Sequence, residues 1–103
     1  MGRIRIDAID SVIHGRLRLG IMAYLADAEV ADFSELKQEL EATQGNLGAN
    51  LVTLQQAGYI AIEKSFVGRK PLTRARITRE GREAFRQYLL QMARLVETGL
   101  KDA

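Results

Sequence analysis

The sequence predicts a single, mainly α-helical domain with one small antiparallel β-hairpin, in the order α-α-α-β-β-α, and a short extra helix at the N-terminus. Three observations support this prediction. Leucines recur at helical spacing through residues 44–57, an alternating apolar run follows directly in residues 59–66, and a Gly-Arg-Lys-Pro turn separates it from a second alternating run. A length of 103 residues is that of one domain, which we take as residues 1–103.

The N-terminal residues 7–27 are predicted to be helical. A short amphipathic helix over residues 7–13 is interrupted by His14-Gly15, and a full helix over residues 16–26 follows because its apolar side chains recur at helical spacing. Residues 27–31 are polar and are expected to form a connector.

A helix-turn-helix is predicted over residues 32–57. Asp32 opens a capping box, so a helix is expected to begin there and to run to about residue 42. Thr43 is a suitable N-cap for the next helix, and Gly58 stands where a left-handed C-terminal cap is needed.

A hairpin over residues 59–77 and a last helix over residues 79–98 complete the chain. The only proline, Pro71, is placed at the turn, where its missing N–H removes no ladder hydrogen bond. The last helix is apolar over more than one narrow stripe, and surplus apolar surface usually marks an interface. The alternative is that both ends of this helix fold onto the domain's own core. The residues expected in a two-fold dimer interface are Ile9, Ile13, Leu89, Met92, Ala93 and Val96.

The composition excludes several classes of function. Without cysteine the chain has no disulfide, thiol nucleophile or cysteine metal site, and this absence suits a reducing cytoplasm. The only histidine, His14, has no nucleophile beside it, and no phosphate-loop, nucleophile-elbow or zinc-protease motif occurs. No run is apolar enough for a signal peptide or a membrane span. We therefore expect a cytoplasmic protein that is not an enzyme and that uses no metal or cofactor.

The net charge of +2 is small, but the charges are unevenly distributed. Residues 27–41 contain six acids and one base, whereas residues 64–94 contain nine bases and two acids. The basic half would attract phosphate groups. The alternative for the hairpin is a charged edge strand that only resists aggregation. The hairpin cations predicted to contact DNA are Lys64, Arg69, Lys70, Arg74 and Arg76.

The third helix has a polar, uncharged face opposite its leucines. Amide side chains can pair with adenine, and a threonine methyl group can pack on that of thymine. No lysine or arginine occurs between Lys37 and Lys64, so this helix cannot make the common arginine–guanine contact. We expect weak base readout that favours A·T pairs, with much of the affinity coming from phosphates. The alternative is that this face only meets water. The candidate contacts are Gln44, Asn46, Ala49, Asn50 and Thr53.

Several segments match the sequence pattern of a known family, among them Phe33-Ser-Glu-Leu36, Leu54-Gln-Gln-Ala-Gly-Tyr-Ile60, Gly68-Arg-Lys-Pro71 and Ile77-Thr-Arg-Glu-Gly-Arg82. Over about residues 7–95 the chain resembles compact winged helix-turn-helix transcriptional regulators of the MarR/ArsR-like superfamily. The resemblance implies a homodimer joined by the terminal helices, a third helix in the major groove, and the hairpin as a wing. Relatives often have Ser-Arg or Ser-Lys where this chain has Gly48-Ala49. The ligands of ArsR-type metal sensors are absent.

The sequence therefore predicts a sequence-specific, DNA-binding transcriptional regulator, expected to be a repressor that binds a short inverted repeat as a homodimer. An apolar cleft between the terminal helices would leave room for an unidentified small-molecule effector. The alternative function is a winged-helix module that binds a protein and has no affinity for duplex DNA. The neutral third helix is the feature that favours this alternative.

Overall fold

The structure is a computed structural model that describes residues 5–102. The order of helices and hairpin strands agrees with the prediction, and one short strand is added to it. Within the described residues the elements are a 3₁₀ turn at Ile6–Ala8, α1 (Arg16–Ala28), β1 (Val30–Asp32), α2 (Phe33–Glu39), α3 (Gln44–Gln56), β2 (Ile60–Val67), β3 (Lys70–Ile77) and α4 (Arg79–Asp102).

The N-terminal segment differs from the prediction, because the helix over residues 7–13 is not continuous. A 3₁₀ turn at Ile6–Ala8 is followed by a separate turn, which the His14 N–H closes by donating to Asp10 O at 2.8 Å. The side chain of Asp10 accepts hydrogen bonds from the backbone N–H groups of Val12 at 2.8 Å and Ile13 at 3.2 Å. This is the geometry of an N-cap, so Asp10 begins a new turn and the helix predicted across it is interrupted. Asp10 also accepts a hydrogen bond from Tyr59 Oη at 2.5 Å, and this bond raises the pKa of Tyr59 to about 12.

The predicted connector at residues 27–31 contains the start of a strand. Val30–Asp32 pairs antiparallel with residues 74–76 of β3, so the sheet has the order β1-β3-β2. The alternative interpretation of the hairpin as a charged sheet edge is therefore wrong for residues 74–76 of the return strand, which lie between β1 and β2, whereas residues 70–73 have no third strand beside them. β1 also leads directly into α2, which ends at Glu39 rather than at about residue 42.

The helix ends confirm the predicted N-caps, but only one half of the capping box forms, since the Glu35 carboxylate accepts a hydrogen bond from Tyr24 Oη. Asp32 Oδ1 accepts a hydrogen bond from the Glu35 N–H at 2.8 Å at the start of α2. Thr43 Oγ1 accepts one from the Asn46 N–H at 3.1 Å at the start of α3. After α3, Gly58 has a φ of +82°, the left-handed conformation that a glycine adopts without steric cost.

The core lies between the helices and the inner face of the sheet. The three leucines of α3 are buried as predicted, together with side chains from α1, α2, the sheet and the first half of α4. The buried hydrophobic residues are Ile13, Ile21, Met22, Leu25, Ala31, Leu36, Leu47, Leu51, Leu54, Ile60, Ala75, Ile77, Phe85 and Tyr88.

The start of α4 lies unusually close to β2. A Cβ atom at Gly81 would stand 2.0 Å from the carbonyl oxygen of Tyr59, so only glycine fits there. Thr78 fixes the same junction, since its N–H donates to Tyr59 O at 3.0 Å and its Oγ1 donates to Gly58 O at 2.7 Å. In the described part of the chain, no helix combines the length and the apolar character needed to span a membrane.

Candidate nucleic-acid interface

The outer face of α3 is available at the protein surface. One side of the helix is buried in the core through Leu47, Leu51 and Leu54. The predicted contact residues therefore lie towards solvent. Gln44, Asn46 and Ala49 are exposed, whereas Asn50 and Thr53 are half-buried at the flank.

The two half-buried polar side chains already have hydrogen-bond partners within the protein. Asn50 Oδ1 accepts a hydrogen bond from Arg18 Nη1 at 2.7 Å, and Asn50 Nδ2 donates to the carbonyl oxygen of Asn46 at 2.7 Å. Thr53 Oγ1 donates to the carbonyl oxygen of Ala49 at 3.2 Å. A bidentate contact of Asn50 with adenine requires both of its amide groups, so it would need these two bonds to break.

Arg18 is the residue near this surface that the sequence interpretation missed. Its Nε donates to the carbonyl oxygen of Val12, and its Nη1 reaches Asn50, so it joins the N-terminal turn to α3. It also brings a guanidinium group to a helix that has no cation of its own. The contact spans 32 positions along the chain, and no local pattern in Arg16-Leu17-Arg18 signals it.

The outer part of the hairpin projects as a two-stranded ribbon. β1 pairs only with residues 74–76 of β3, so the ribbon beyond that point has no third strand. Gly68 and Arg69 form its two-residue turn, and Gly68 has a φ of +64° while Arg69 does not have a positive φ, as in a type II′ turn. Pro71 lies within β3, opposite Phe66, rather than at the turn.

Four of the five predicted wing cations are exposed, namely Lys64, Arg69, Lys70 and Arg74. The fifth, Arg76, is half-buried and forms ion pairs with Glu63 and Glu29, each at 3.1 Å. Glu63, and to a lesser extent Glu29, raises the pKa of the Arg76 guanidinium group. Arg76 therefore ties the end of α1 to the sheet, and we leave it out of the candidate DNA contacts.

A groove of about 510 Å³ connects α3 with the ribbon. Gly48, Val52 and Gln55 line its helix side, and Lys64 and Thr73 line its ribbon side. The groove places one wing cation beside the flank of α3. One side of the exposed face of α3 thus forms a concave surface with the base of the wing, which we call the α3–wing surface. None of the five predicted α3 contacts is among the residues that line its groove.

The predicted dimer residues are divided between core and surface. Ile13 is fully buried in its own protomer, so its assignment to a dimer interface is wrong. Ile9 and Met92 are half-buried and pack against the core. The predicted residues that remain exposed, all on α4, are Leu89, Ala93 and Val96.

The second half of α4 extends beyond the domain. Val96 is 55% exposed and Leu100 is 72% exposed, so this end of the helix does not fold onto the core. In the first half of the helix, Tyr88 Oη hydrogen-bonds to Nδ1 of the only histidine, His14, at 2.8 Å. Among the described residues, no group of three or more His, Asp or Glu side chains could hold a metal ion.

A helix-turn-helix followed by a projecting basic hairpin defines a winged-helix protein. The chain belongs to the family described as winged helix DNA-binding domain, whose model matches residues 17–96. This family is a class of DNA-binding domains rather than of enzymes, as the sequence predicts.

The chain is also similar to individual proteins. The chain is 32% identical over 84 residues to the uncharacterized protein MJ0432 of Methanocaldococcus jannaschii, covering 82% of this chain and 91% of that protein. It is also similar to a transcriptional regulator homologue from Pyrococcus horikoshii OT3, with a TM-score of 0.82 and 28% identity, over 89% of this chain and 92% of that one. YusO from Bacillus subtilis shares the fold, with a TM-score of 0.76 and 16% identity, over 95% of this chain and 69% of that one.

Proposed function

We propose that this chain is a cytoplasmic, homodimeric transcriptional regulator that recognises a short inverted repeat and represses transcription there. The observation that carries the proposal is the α3–wing surface. An uncharged helix face and a cationic ribbon flank one groove, so a single duplex can contact both at once. The family assignment and the similar regulator from Pyrococcus horikoshii support a DNA-binding regulator.

In this proposal α3 contacts the bases and the ribbon contacts the phosphates. α3 enters the major groove and reads bases weakly, chiefly through the exposed amides of Gln44 and Asn46, with a preference for A·T pairs. The ribbon supplies most of the affinity, because Arg69, Lys70 and Arg74 are exposed and can neutralise phosphates. Lys64 adds a phosphate contact at the base of the wing.

The proposed dimer uses the projecting half of α4. Val96 and Leu100 are exposed on it, at 55% and 72%, and Leu89 is exposed nearer the middle of the same helix, at 48%. A two-fold contact between two such helices would bury them and present two copies of α3 to the two halves of a palindrome.

An effector, if the regulator has one, is best accommodated in the groove between the end of α1 and α4. Its volume is about 550 Å³. Ala26, Phe85 and Leu90 give it an apolar floor, and Arg82 and Arg86 stand at its edge. This lining would favour a small molecule with an apolar body and one negatively charged group.

The decisive experiment is the selection of bound duplexes from a random library, followed by fluorescence anisotropy on the selected sequence at several salt concentrations. The expected product is an A·T-rich inverted repeat. A dimer that neutralises about eight phosphates gives a slope of log affinity against log salt near −7. Arg69→Ala should weaken binding to all sequences, whereas Arg94→Ala, at an exposed arginine on α4 outside both grooves, is the control with the same change in net charge.

The results also test the alternative function. No enrichment from the library, together with no duplex affinity at physiological salt, would contradict the proposal and favour a protein-binding module. Asn46→Ala provides a second check, since loss of a base contact should relax the preference at particular base pairs while leaving the salt slope unchanged.

A further inference from the structure

One aromatic side chain of the wing, that of Phe66, is exposed and does not contribute to the core. All three phenylalanines and three tyrosines lie within the described residues, and Phe66 is the only one that is exposed, at 72%. Burial of a phenylalanine side chain is worth about 1.5–3 kcal/mol relative to exposure, so an exposed one gains nothing for the fold. Its neighbour Val67 is 65% exposed.

The strand register determines which side of the ribbon Phe66 occupies. Side chains alternate between the two faces of a strand, so Phe66 shares its face with Lys64, which lines the α3–wing groove. Directly across the ribbon, Pro71 pairs with Phe66 and Thr73 pairs with Lys64. An apolar pair thus continues the floor of the groove towards the tip of the wing, whereas Val67 lies on the opposite face.

The charges around this apolar pair restrict its partner. Residues 64–76 contain five bases and no acid. Lys64 shares the face of Phe66 and Arg69 lies in the turn, whereas the strand pairing places Lys70 and Arg74 on the opposite face. The fifth base, Arg76, is already ion-paired. A second copy of the ribbon would bring like charges together, so self-association through the tip is opposed. A suitable partner carries negative charge outside and an apolar interior a few ångströms deeper. Duplex DNA has this arrangement, with phosphates along the edges of a groove and stacked bases at its floor.

The ribbon is long enough to reach the bases. Phe66 lies two positions beyond Lys64, which corresponds to about 7 Å of strand, and the minor groove of B-DNA is about 7.5 Å deep. With Lys64 at a phosphate on the edge of the groove, Phe66 would reach its floor.

We propose that Phe66 is an apolar wedge that enters the minor groove beside the recognition site, partly unstacks one base step and bends the duplex. The inference rests on the proposed DNA-binding function and adds a mechanical action to it. Proteins that insert apolar side chains from the minor groove kink DNA in this manner. Pyrimidine–purine steps such as TA unstack most easily, so these steps are the expected insertion points.

The test uses the full chain and a 40-bp A·T-rich duplex. The duplex has 2-aminopurine in place of adenine at its TA steps and a donor–acceptor dye pair at its ends. Unstacking increases 2-aminopurine fluorescence, and bending increases energy transfer between the dyes. Binding of the natural chain should raise both signals. Phe66→Ser should abolish both and weaken binding at least about five-fold, the lower limit for one aromatic–base contact.

The controls separate a wedge from an ordinary surface contact. Val67→Ser removes a similarly exposed apolar side chain from the opposite face of the ribbon and should leave both signals in place. Phe66→Leu keeps an apolar side chain and should retain part of both. If Phe66→Ser binds and bends the duplex as the natural chain does, or if the natural chain binds without either signal, the wedge is refuted while the DNA-binding function stands. If the natural chain does not bind the duplex at all, both proposals fail.

Discussion

Replacement of Ala49 by arginine should turn a neutral helix into a stronger DNA-binding element. Ala49 is exposed on the outer face of α3, on the side away from the buried leucines, so a long side chain can be added there without entering the core. Alanine and arginine have similar helix propensities, so the substitution should change stability by only a few tenths of a kcal/mol. The change therefore tests function without disturbing the fold.

The expected size of the effect follows from the position of this residue. Each protomer gains one cation on a surface that the proposal places against the duplex, and a dimer gains two. If each cation neutralises one phosphate, the salt slope should steepen by about two, from near −7 to near −9. Where the added arginine reaches a guanine instead, discrimination of about 1–3 kcal/mol per half-site is expected.

The assay is fluorescence anisotropy of labelled duplexes between 50 and 200 mM salt, about the range over which phosphate contacts have their largest effect. The control is Ala23→Arg, which places the same charge at an exposed alanine of α1, about 140° around that helix from Arg18. Equal slopes for the two variants would refute the reasoning, because they would mean that the outer face of α3 does not meet DNA and that only net charge matters.

Three further predictions concern stability. Gly81→Ala should lower the free energy of unfolding by about 1–3 kcal/mol, because its Cβ would collide with a carbonyl oxygen. Gly99→Ala, on the same helix, should not lower it, because a Cβ atom there meets open space. Urea unfolding of both variants at one protein concentration distinguishes them. Arg18→Ala and Asn50→Ala should be non-additive by about 0.5–1.5 kcal/mol, and additive losses would show that their hydrogen bond contributes nothing. The pKa of Tyr59 is raised to about 12, so the folded state keeps a proton that the unfolded state loses above about pH 10. Stability should therefore fall between about pH 10 and 12, and an unchanged fall in Tyr59→Phe would contradict this assignment.

The local features of the fold could be predicted because they depend on neighbouring residues. The caps at Asp32 and Thr43, and the alternation that defines the hairpin, need only a few residues of context. β1 could not be predicted in this way, because Val30–Asp32 is too short to show a period and becomes a strand only by pairing with β3, more than 40 positions later. The break in the N-terminal helix could not be predicted from its apolar spacing, because that spacing continues across Asp10, whose side chain caps a new turn.

The candidate site was predictable in outline but not in its polar detail. The exposed face of α3 and the cationic tip follow from periodicity and turn chemistry. Whether an amide is free to read a base depends on the partner that the fold brings to it, and Arg18 reaches Asn50 from another helix. The same reasoning applies to Arg76, whose ion-pair partners come from β2 and from the end of α1.

The continuity of α4 has a geometric consequence for the operator. One helix carries Phe85 and Tyr88 in the core of the domain and Val96 and Leu100 on its projecting end, without a break between them. In a dimer joined by these ends, no hinge would let either domain swivel about the two-fold axis. Such a protein would tolerate only one phasing of its half-sites along the double helix, and a single inserted base pair, which turns one half-site by about 35°, would place the second reading surface out of reach.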